Sequence, residues 1–478
     1  MNVLFVGAEC APFLKTGGLG DVLGALPDAL KSQGVEVRVM LPLYTSIPDH
    51  YRSRMKTIAE IRVSVGWRYA YCGIRELEHD GIIYYFLDNE QYFKRGSAYG
   101  HDDDGERFAF LCRAALESLS AIGYWPDIIH GHDWHTGMIP ALLRHHYSWR
   151  QEYAGIKTVF TIHNLQYQGN YPPHVIGDLF GLPPHYLTYD HVEFHGSVSF
   201  MKAGIQLSDR VTTVSPSYAR EITTPEYGCS MEETLRSRGS SLIGIVNGID
   251  DVLYDPSTDA KLQAYYTATS SDAKLVCKTA LQWELGLRTD VEVPLIGMVG
   301  RLTDQKGLPL VLERLDELMA AENVQLALLG TGDPHLEHLF REAENRHKGR
   351  VVCYIGFDDG LARRIYAGSD LFLMPSQFEP CGISQLLALR YGSLPIVRET
   401  GGLRDTVQSY NEWTGEGNGF SFAPYNSGDM LYTIRRAISL WRDPDVRQKL
   451  VERALQGDYG WSRSAQQYKE LYEGLLSN

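Results

Sequence analysis

Short apolar or β-branched runs alternate with longer amphipathic stretches along almost the whole chain. This alternation is typical of βαβ units, in which parallel strands form a sheet and helices cover its faces. The sequence therefore predicts an α/β fold with a parallel sheet in each half of the chain. The strands predicted for the first half are 2–7, 35–41, 82–87, 127–131, 156–162 and 210–214, and those for the second half are 242–246, 294–299, 324–329, 351–355, 371–374 and 394–397.

The length of the chain, 478 residues, exceeds what one hydrophobic core usually holds, which predicts two domains. The segment 244–250 combines glycine and asparagine with little helical pattern and is predicted to be the hinge between them. The predicted domains are therefore 1–243 and 244–459. A helix over 460–478 carries apolar residues at helical spacing, and we expect it to pack back on the first domain. Region 49–110 is rich in Tyr, Gly and Asp and is predicted to be an irregular insertion.

Charge and cysteine usage exclude several classes of protein. The formal net charge is −14, and no dense run of lysine and arginine is present, so we expect neither nucleic acid nor a membrane surface as a partner. The seven cysteines are scattered without a C-x-x-C pair, which argues against a disulfide framework and a structural zinc site. No apolar stretch approaches membrane-spanning length. These features together predict a cytoplasmic protein.

Polar, glycine-containing loops follow two of the predicted strands. They are Lys15–Asp21 (KTGGLGD) and Glu379–Gln385 (EPCGISQ). Open α/β sheets bind their ligands at the carboxyl ends of the strands. In the first loop, Gly17 and Gly18 let backbone N–H groups approach an anion, and Lys15 adds a positive charge. The alternative is a glycine-rich turn with a solvated lysine.

The glycine patterns do not match two common nucleotide-binding motifs. The third glycine of a dinucleotide fingerprint is missing after Gly18-Leu19-Gly20, and no Gly-Lys pair of a Walker-type loop occurs. A nicotinamide-dependent oxidoreductase is therefore disfavoured.

Two further loops of the second half suit an anion. Arg301 and Lys306 lie in the loop 300–307, where a planar guanidinium and a compact ammonium could hold a diphosphate. Arg398–Leu403 is another strand-to-glycine turn that could offer N–H groups. An isolated pair of basic residues is more often solvated, but three anion-suited loops in one chain favour an anion site.

Polar side chains at two predicted strand ends of the first half suit a polyhydroxylated ligand. Asp133 and Asn164 can hold hydroxyl groups, and Trp134 offers a flat apolar face for a sugar ring. The alternative to a sugar-binding site is a metal site built from the clustered histidines, but the H-E-x-x-H spacing of zinc proteases does not occur. His130 and His132 are otherwise interpreted as structural histidines at strand ends.

The segment Asp102–Asp104 has the composition of a metal-binding Asp-x-Asp motif, but no buried strand adjoins it. It is predicted to be a solvated loop.

With these motifs the chain resembles the bacterial glycogen synthase and plant starch synthase family of retaining glucosyltransferases, over essentially its whole length. The matching stretches are KTGGLGD (15–21), HDW (132–134), FTIHNLQYQG (160–169), VSPSYARE (214–221), VNGID (246–250), GRLTDQKG (300–307), EPCGISQ (379–385) and TGGL (400–403). Mild departures occur at Ile383-Ser384 and Tyr254. Leu387 stands where more distant retaining transferases carry a second acid, which favours the starch and glycogen synthase branch.

The resemblance implies the GT-B fold, in which two Rossmann-like domains turn their parallel sheets toward a deep interdomain cleft. It implies transfer of glucose from ADP-glucose to the 4-OH of an α-1,4-glucan such as glycogen, with retention of configuration and with neither metal nor cofactor. The leaving phosphate would assist removal of the acceptor proton on the front face. A related transferase that uses UDP-glucose, or a non-catalytic glucan-binding protein, is the alternative. The oligomeric state stays open.

The resemblance also implies roles for individual residues. The implied catalytic residues are His163, Glu379, Arg301, Lys306 and Asp21. The implied donor-binding residues are Lys15, Gly18, Arg301, Lys306, Phe357, Glu379, Cys381, Gly382, Thr400, Gly401 and Gly402, with Phe357 stacked on the nucleobase. The implied acceptor and sugar-binding residues are Asp133, Trp134, Asn164 and Tyr167.

Overall fold

The computed structural model describes residues 1–477, which form two compact units. Unit 1 consists of Met1–Asn247 together with the segment from Trp461 onward, and unit 2 consists of Gly248–Gly460. None of the helices in this described part of the chain combines the length and apolar character that a membrane crossing requires.

Unit 1 is built on a nine-stranded sheet with the strand order β12-β11-β7-β6-β1-β2-β5-β4-β3. The first seven strands in this order pair in parallel, and β4 and β3 add two antiparallel strands at one edge. A separate small sheet has the order β8-β10-β9. The strands of unit 1 are β1 Asn2–Val6, β2 Glu36–Pro42, β3 Lys56–Val65, β4 Arg68–His79, β5 Ile82–Asp88, β6 Ile128–His132, β7 Lys157–Ile162, β8 Asn170–Tyr171, β9 Glu193–Phe194, β10 Ser197–Ser199, β11 Arg210–Thr213 and β12 Leu242–Gly244.

The central strands of this sheet are buried on both faces, as parallel strands covered by helices are. Val3–Val6 of β1 are inaccessible to solvent. The covering helices include α1, which packs along β2, and α4, which packs against β3. The helices of unit 1 that precede unit 2 in the chain are α1 Gly18–Ser32, α2 Asp49–Arg52, α3 Glu90–Phe93, α4 Asp104–Ile122, α5 Ile139–Leu142, α6 Gln151–Ala154, α7 Val175–Asp178, α8 Phe200–Leu207, α9 Pro216–Glu221 and α10 Glu232–Ser237.

Unit 2 contains a six-stranded, all-parallel sheet with the order β15-β14-β13-β16-β17-β18. Its strands are β13 Leu295–Val299, β14 Gln325–Gly330, β15 Val351–Ile355, β16 Leu371–Met374, β17 Leu394–Arg398 and β18 Phe420–Phe422. Its helices are α11 Lys274–Glu284, α12 Leu308–Ala321, α13 Pro334–Arg346, α14 Asp359–Gly368, α15 Ser384–Arg390, α16 Gly401–Thr406, α17 Ser427–Trp441 and α18 Pro444–Gln456. Two apolar clusters in this unit bury the faces of the sheet against these helices.

The last helix, α19 Ser462–Leu476, belongs to unit 1 although the chain reaches it from unit 2. It packs against α1. Tyr472 OH lies 2.7 Å from His130 Nδ1, and Lys469 Nζ donates to the carbonyl oxygen of Gln33 at 2.9 Å. Tyr472 is fully buried, so this helix completes the core of unit 1.

The predicted fold class is confirmed, because each unit has a parallel sheet covered by helices. Three local predictions are wrong. Region 49–110 is not an irregular insertion, since β3 and β4 form a long antiparallel pair that extends the sheet. The strand predicted at 242–246 pairs as β12 with β11 of unit 1 and does not begin the second sheet.

The third wrong prediction concerns the acidic segment, which is not a solvated loop throughout. Asp104 begins α4, is buried, and pairs with Arg107. The antiparallel pair of β3 and β4 was missed because it depends on contacts between segments and not on a local period. Asp104 and Arg107 are only three residues apart in α4, but their burial depends on how that helix packs.

Candidate functional site

Three polar loops of unit 1 follow the adjacent strands β1, β6 and β7. These strands are parallel neighbours, so their carboxyl ends lie at one edge of the sheet. The loop after β1 contains Lys15–Asp21, the loop after β6 begins at Asp133, and the loop after β7 begins at His163. The structure therefore brings the predicted sugar-binding residues of the first half to one place.

The loop after β1 is held by Glu9, a residue that the sequence did not single out. One carboxylate oxygen of Glu9 accepts from the backbone N–H of Thr16 at 2.6 Å and from its hydroxyl, and the other accepts from the N–H of Gly20 at 3.2 Å. Burial raises the pKa of Glu9, and the hydrogen bonds from Thr16 act in the opposite direction. A glutamate three residues after the apolar strand β1 was the only available signal for this role.

Lys15 and Asp21 form an ion pair across the start of helix α1, with Lys15 Nζ 2.7 Å from Asp21 Oδ1. Gly18 is the first residue of that helix and is exposed. The exposed N–H groups and the lysine at this helix start suit an anion.

Asp133 adopts a backbone conformation that is rare outside glycine, with φ 58° and ψ 177°. Such a conformation costs about 1–3 kcal/mol and concentrates at functional sites. Asp133 Oδ1 accepts from the backbone N–H of His163 at 2.7 Å and of Asn164 at 3.4 Å. Burial raises the pKa of Asp133 to about 7. The carboxylate thus ties the loop after β6 to the loop after β7.

His163 lies at the end of β7 and is held at both its backbone and its ring. Its Nε2 lies 2.9 Å from Nδ1 of His132, the last residue of β6. Burial lowers the pKa of His163 to about 3, so the ring is neutral at physiological pH. A neutral, oriented imidazole at this edge of the sheet can exchange a hydrogen bond with a ligand hydroxyl.

The two aromatic residues predicted for the sugar site differ in accessibility. Trp134 is only 8% exposed and packs edge-on against Phe108, with ring centroids 5.1 Å apart. Tyr167 is 49% exposed. Tyr167 therefore offers the open ring surface at this strand edge, and Trp134 contributes mainly to packing.

In unit 2, the loops after β13, β16 and β17 adjoin at the carboxyl edge of the sheet, since these three strands are neighbours. Lys306 Nζ lies 2.7 Å from Glu379 Oε2, and Ser376 Oγ donates to the same oxygen at 3.1 Å. Glu379 is 6% exposed. A nearly buried carboxylate needs such partners, so the pair fixes two predicted catalytic residues relative to each other.

The turn at Thr400–Gly402 packs directly on the segment that contains Glu379. The N–H of Gly402 donates to the carbonyl oxygens of Glu379 and Pro380, both at 3.1 Å. A side chain at Gly401 would collide with the carbonyl of Glu379, and one at Gly402 would collide with that of Cys381. Glycine is required here because two loops approach each other closely.

The loop Cys381–Gly382 is fixed by Gln385, which is fully buried. Its Nε2 donates to the carbonyl oxygens of Cys381 at 3.0 Å and Gly382 at 2.9 Å, and to the hydroxyl of Thr406 at 3.1 Å. The amide thereby holds the backbone that follows Glu379.

Two predicted donor-binding residues of unit 2 are exposed. Phe357 follows β15 and is 87% exposed. Arg301 follows β13, and its guanidinium forms no ion pair with any residue of the described chain. Both side chains are accessible to a ligand. Within residues 1–477, no group of three or more His, Cys, Asp or Glu has the arrangement of a metal site.

Known proteins resemble this chain over its whole length. A family described as "Starch synthase catalytic domain" matches residues 2–237, and one described as "Glycosyl transferases group 1" matches residues 284–456. The glycogen synthases of Geobacillus thermodenitrificans and Geobacillus stearothermophilus are each 56% identical to it, over 100% of this chain and 98% of theirs.

Among solved structures, the catalytic domain of starch synthase IV from Arabidopsis thaliana is 35% identical with a TM-score of 0.92. The alignment covers 100% of this chain and 99% of that one. This likeness confirms the GT-B fold class expected from the sequence. The chain belongs to the glycogen synthase family of glucosyltransferases.

Proposed function

We propose that this chain transfers glucose from ADP-glucose to the non-reducing 4-OH of an α-1,4-glucan, with retention of configuration, and so elongates glycogen. The observation that carries the proposal is the Lys306–Glu379 pair beside the Thr400–Gly402 turn, at the ends of three adjacent strands. It combines a cation suited to phosphate and a carboxylate suited to sugar hydroxyls, and the glycine turn packs directly on the backbone of the carboxylate residue. The starch synthase of similar fold was solved with ADP and acarbose bound, which supports a nucleotide and a glucan as ligands.

On the donor side, the leaving diphosphate would be held in unit 2 by Lys306 and Arg301. Lys15 and Gly18 are the donor-binding residues that we propose in unit 1. An ammonium has three N–H donors, so the bond from Lys306 to Glu379 leaves two for phosphate oxygens. Cleavage of the glycosyl–phosphate bond builds negative charge on the diphosphate, and preorganised cations stabilise that charge. With this charge supplied by side chains, we propose that the reaction needs no metal.

On the sugar side, Glu379 and the N–H groups of Cys381 and Gly382 would bind hydroxyls of the donor glucose, and Phe357 would stack on the nucleobase. His163 would stabilise the positively charged sugar through its carbonyl oxygen and position a donor hydroxyl through its ring. The departing phosphate would take the proton of the acceptor hydroxyl on the same face, which gives retention.

The acceptor glucan would contact Asp133, Asn164 and Tyr167. Two of these residues, Asp133 and Asn164, share the hydrogen-bonded loops beside His163. Their polar groups and the exposed ring of Tyr167 match a polyhydroxylated chain.

The test is a transfer assay with labelled ADP-glucose and UDP-glucose on a maltooligosaccharide primer, with the anomeric configuration of the product read by NMR. We expect α-1,4-linked elongation and a much higher kcat/KM for ADP-glucose. Equal kcat/KM for the two donors would overturn the choice of donor and leave the enzyme class intact. Glucan binding without turnover on either donor would instead identify a non-catalytic binding protein.

A further inference from the structure

His132 ends β6, His163 directly follows the neighbouring strand β7, and their facing ring nitrogens lie 2.9 Å apart. We propose that His132 is a positioning residue that fixes the tautomer of His163, so that His163 presents an N–H group at Nδ1 to the donor sugar. The consequence for turnover rests on the function proposed above for the ring of His163.

A single hydrogen lies between the two rings, because both are neutral. Burial lowers the pKa of His132 well below its ordinary value and that of His163 to about 3. In one arrangement His132 Nδ1–H donates to His163 Nε2, which leaves the hydrogen of His163 on Nδ1. In the other, His163 Nε2–H donates to His132 Nδ1, which leaves His163 Nδ1 as a bare acceptor.

The remaining nitrogen of His132 decides between these arrangements. His132 Nε2 is buried and has no hydrogen-bond partner among residues 1–477. In the first arrangement this atom carries only a lone pair. In the second it would carry an N–H group with no acceptor. Among backbone groups, a buried N–H without an acceptor is rarer than a buried carbonyl without a donor, and an unsatisfied ring N–H carries the same kind of desolvation cost. The first arrangement is therefore favoured.

The ring of His132 is held in place by its neighbours. It stacks on His130 with a centroid distance of 4.3 Å and an interplanar angle of 23°, and Phe5 packs at 5.0 Å. His130 is itself fixed, since its Nδ1 lies 2.7 Å from Tyr472 OH and its Nε2 lies 2.6 Å from Thr161 Oγ1. His132 therefore cannot turn Nδ1 away from His163 without disturbing this buried stack.

The tautomer determines what His163 can offer a ligand. His163 is only partly buried, and Nδ1 makes no hydrogen bond within the described chain. With a hydrogen on Nδ1, the ring donates to a sugar hydroxyl, and that hydroxyl keeps its own hydrogen for a second acceptor. With the other tautomer, the hydroxyl would have to donate to the ring.

The tautomer can be read without any substrate from the full-length protein with 15N-labelled histidine. Long-range 1H–15N correlation spectra distinguish a protonated ring nitrogen from a bare one, and the variants His132→Ala and His163→Ala assign the two signals. We expect Nδ1 to carry the hydrogen in both His132 and His163. A hydrogen on Nε2 of His163 in the wild-type protein would overturn the proposal.

Kinetics test the consequence for turnover. We expect His132→Ala to lower kcat about ten- to a hundredfold, the range found when a partner that orients a metal-ligating histidine is lost, and to leave ADP affinity nearly unchanged. His132→Asn places an amide near the position of Nδ1 and should restore part of kcat. His132→Gln places its amide at the position of Nε2 and should not, although both variants have similar polarity.

A double-mutant comparison separates positioning from general damage to the fold. In a His163→Ala background, the further change His132→Ala should leave kcat unchanged, because the ring on which His132 acts is absent. An equal loss of kcat in both backgrounds would overturn the proposal. If His163→Ala alone retained wild-type kcat, the proposed role of His163 would fail, whereas the spectra would still decide the tautomer.

Discussion

Lys306 and Glu379 show how two residues with separate expected roles become one unit in the fold. The sequence resemblance implies that one binds phosphate and the other binds glucose. In the structure they share a 2.7 Å ion pair, and Glu379 is nearly buried. The lysine is therefore the counter-charge of a nearly buried carboxylate, and under the proposed function it would also contact phosphate.

Replacement of Lys306 by alanine should reduce kcat by at least about a hundredfold, the scale of losing one preorganised contact to developing charge. The change should also lower the Tm, because Glu379 loses its counter-charge. The matched control is Lys348→Ala, which removes an exposed lysine elsewhere in the same unit. Steady-state kinetics and thermal unfolding of both variants check this, and a kcat within tenfold of wild type for Lys306→Ala would contradict it.

Asp133 predicts a pH dependence of stability. Its pKa is raised from 3.8 to about 7 in the folded protein, so the folded state binds this proton more tightly than the unfolded state. The associated stabilisation is fully present below about pH 4 and is lost as the pH rises through about 7. Asp133→Asn keeps an oxygen for the N–H groups of His163 and Asn164 but carries no charge.

We therefore expect Asp133→Asn to raise the Tm at pH 8 by a few degrees, since about 1 kcal/mol shifts the Tm by about 2–4 °C in proteins of 150–250 residues. At pH 5 the gain should be smaller. Thermal unfolding of both proteins at the two pH values measures this difference. A larger gain at pH 5 than at pH 8 would show that the sign is wrong.

At the scale of elements, the helices α1 and α19 organise the edge of the first sheet. Helix α1 begins at the Lys15–Asp21 loop, where Glu9 already uses the N–H of Gly20. A ligand anion at this helix start would therefore meet the groups nearer Gly18 and Lys15. Helix α19 lies against α1 and reaches His130 through Tyr472. The last helix thus supports the histidines at the ends of β6 and β7.

Truncation of Tyr472 tests this support. Tyr472→Ala should destabilise the fold by about 3–5 kcal/mol, as loss of a large buried ring does. Tyr472→Phe removes only the hydroxyl bonded to His130 and should cost about 1 kcal/mol. Chemical denaturation of both variants measures the difference. Equal stability of Tyr472→Ala and wild type would mean that α19 does not contribute to the core of unit 1.

At the scale of the whole molecule, basic groups suited to a diphosphate occur in both compact units. Lys15 belongs to unit 1, and Arg301 and Lys306 belong to unit 2. The chain as a whole is acidic, with a formal net charge of −14. The positive charge that an anion would meet therefore comes from a few local basic side chains, and not from the net charge of the chain.

The proposed function predicts that glucosyl transfer proceeds without a divalent metal, because Arg301 and Lys306 would neutralise the leaving diphosphate. Enzyme dialysed against a chelator and assayed in its presence should keep its wild-type kcat. Complete loss of activity, restored by added magnesium, would show that a metal supplies the charge. The Lys306→Ala variant is the comparison for this experiment, since its kcat should stay low whether or not magnesium is added.

Much of the fold follows from local sequence patterns. Every strand predicted at the centre of the two sheets is present, for example β1 at Asn2–Val6 and β16 at Leu371–Met374, because apolar runs bounded by polar loops are encoded in consecutive residues. The same is true of the loops at strand ends, whose glycines and charges are adjacent in the chain. These local motifs were also sufficient to identify the family.

The tertiary structure alone decided which of those loops meet and which side chains share a hydrogen. His132 and His163 are 31 residues apart, and Lys306 and Glu379 are 73 apart, so each pairing depends on strand order and not on spacing. Tyr472 acquires its role in the same way, because the last helix brings it to His130, 342 residues away in the chain. Local sequence specifies periodicity and turn chemistry, whereas the geometry of a site depends on how distant segments pack.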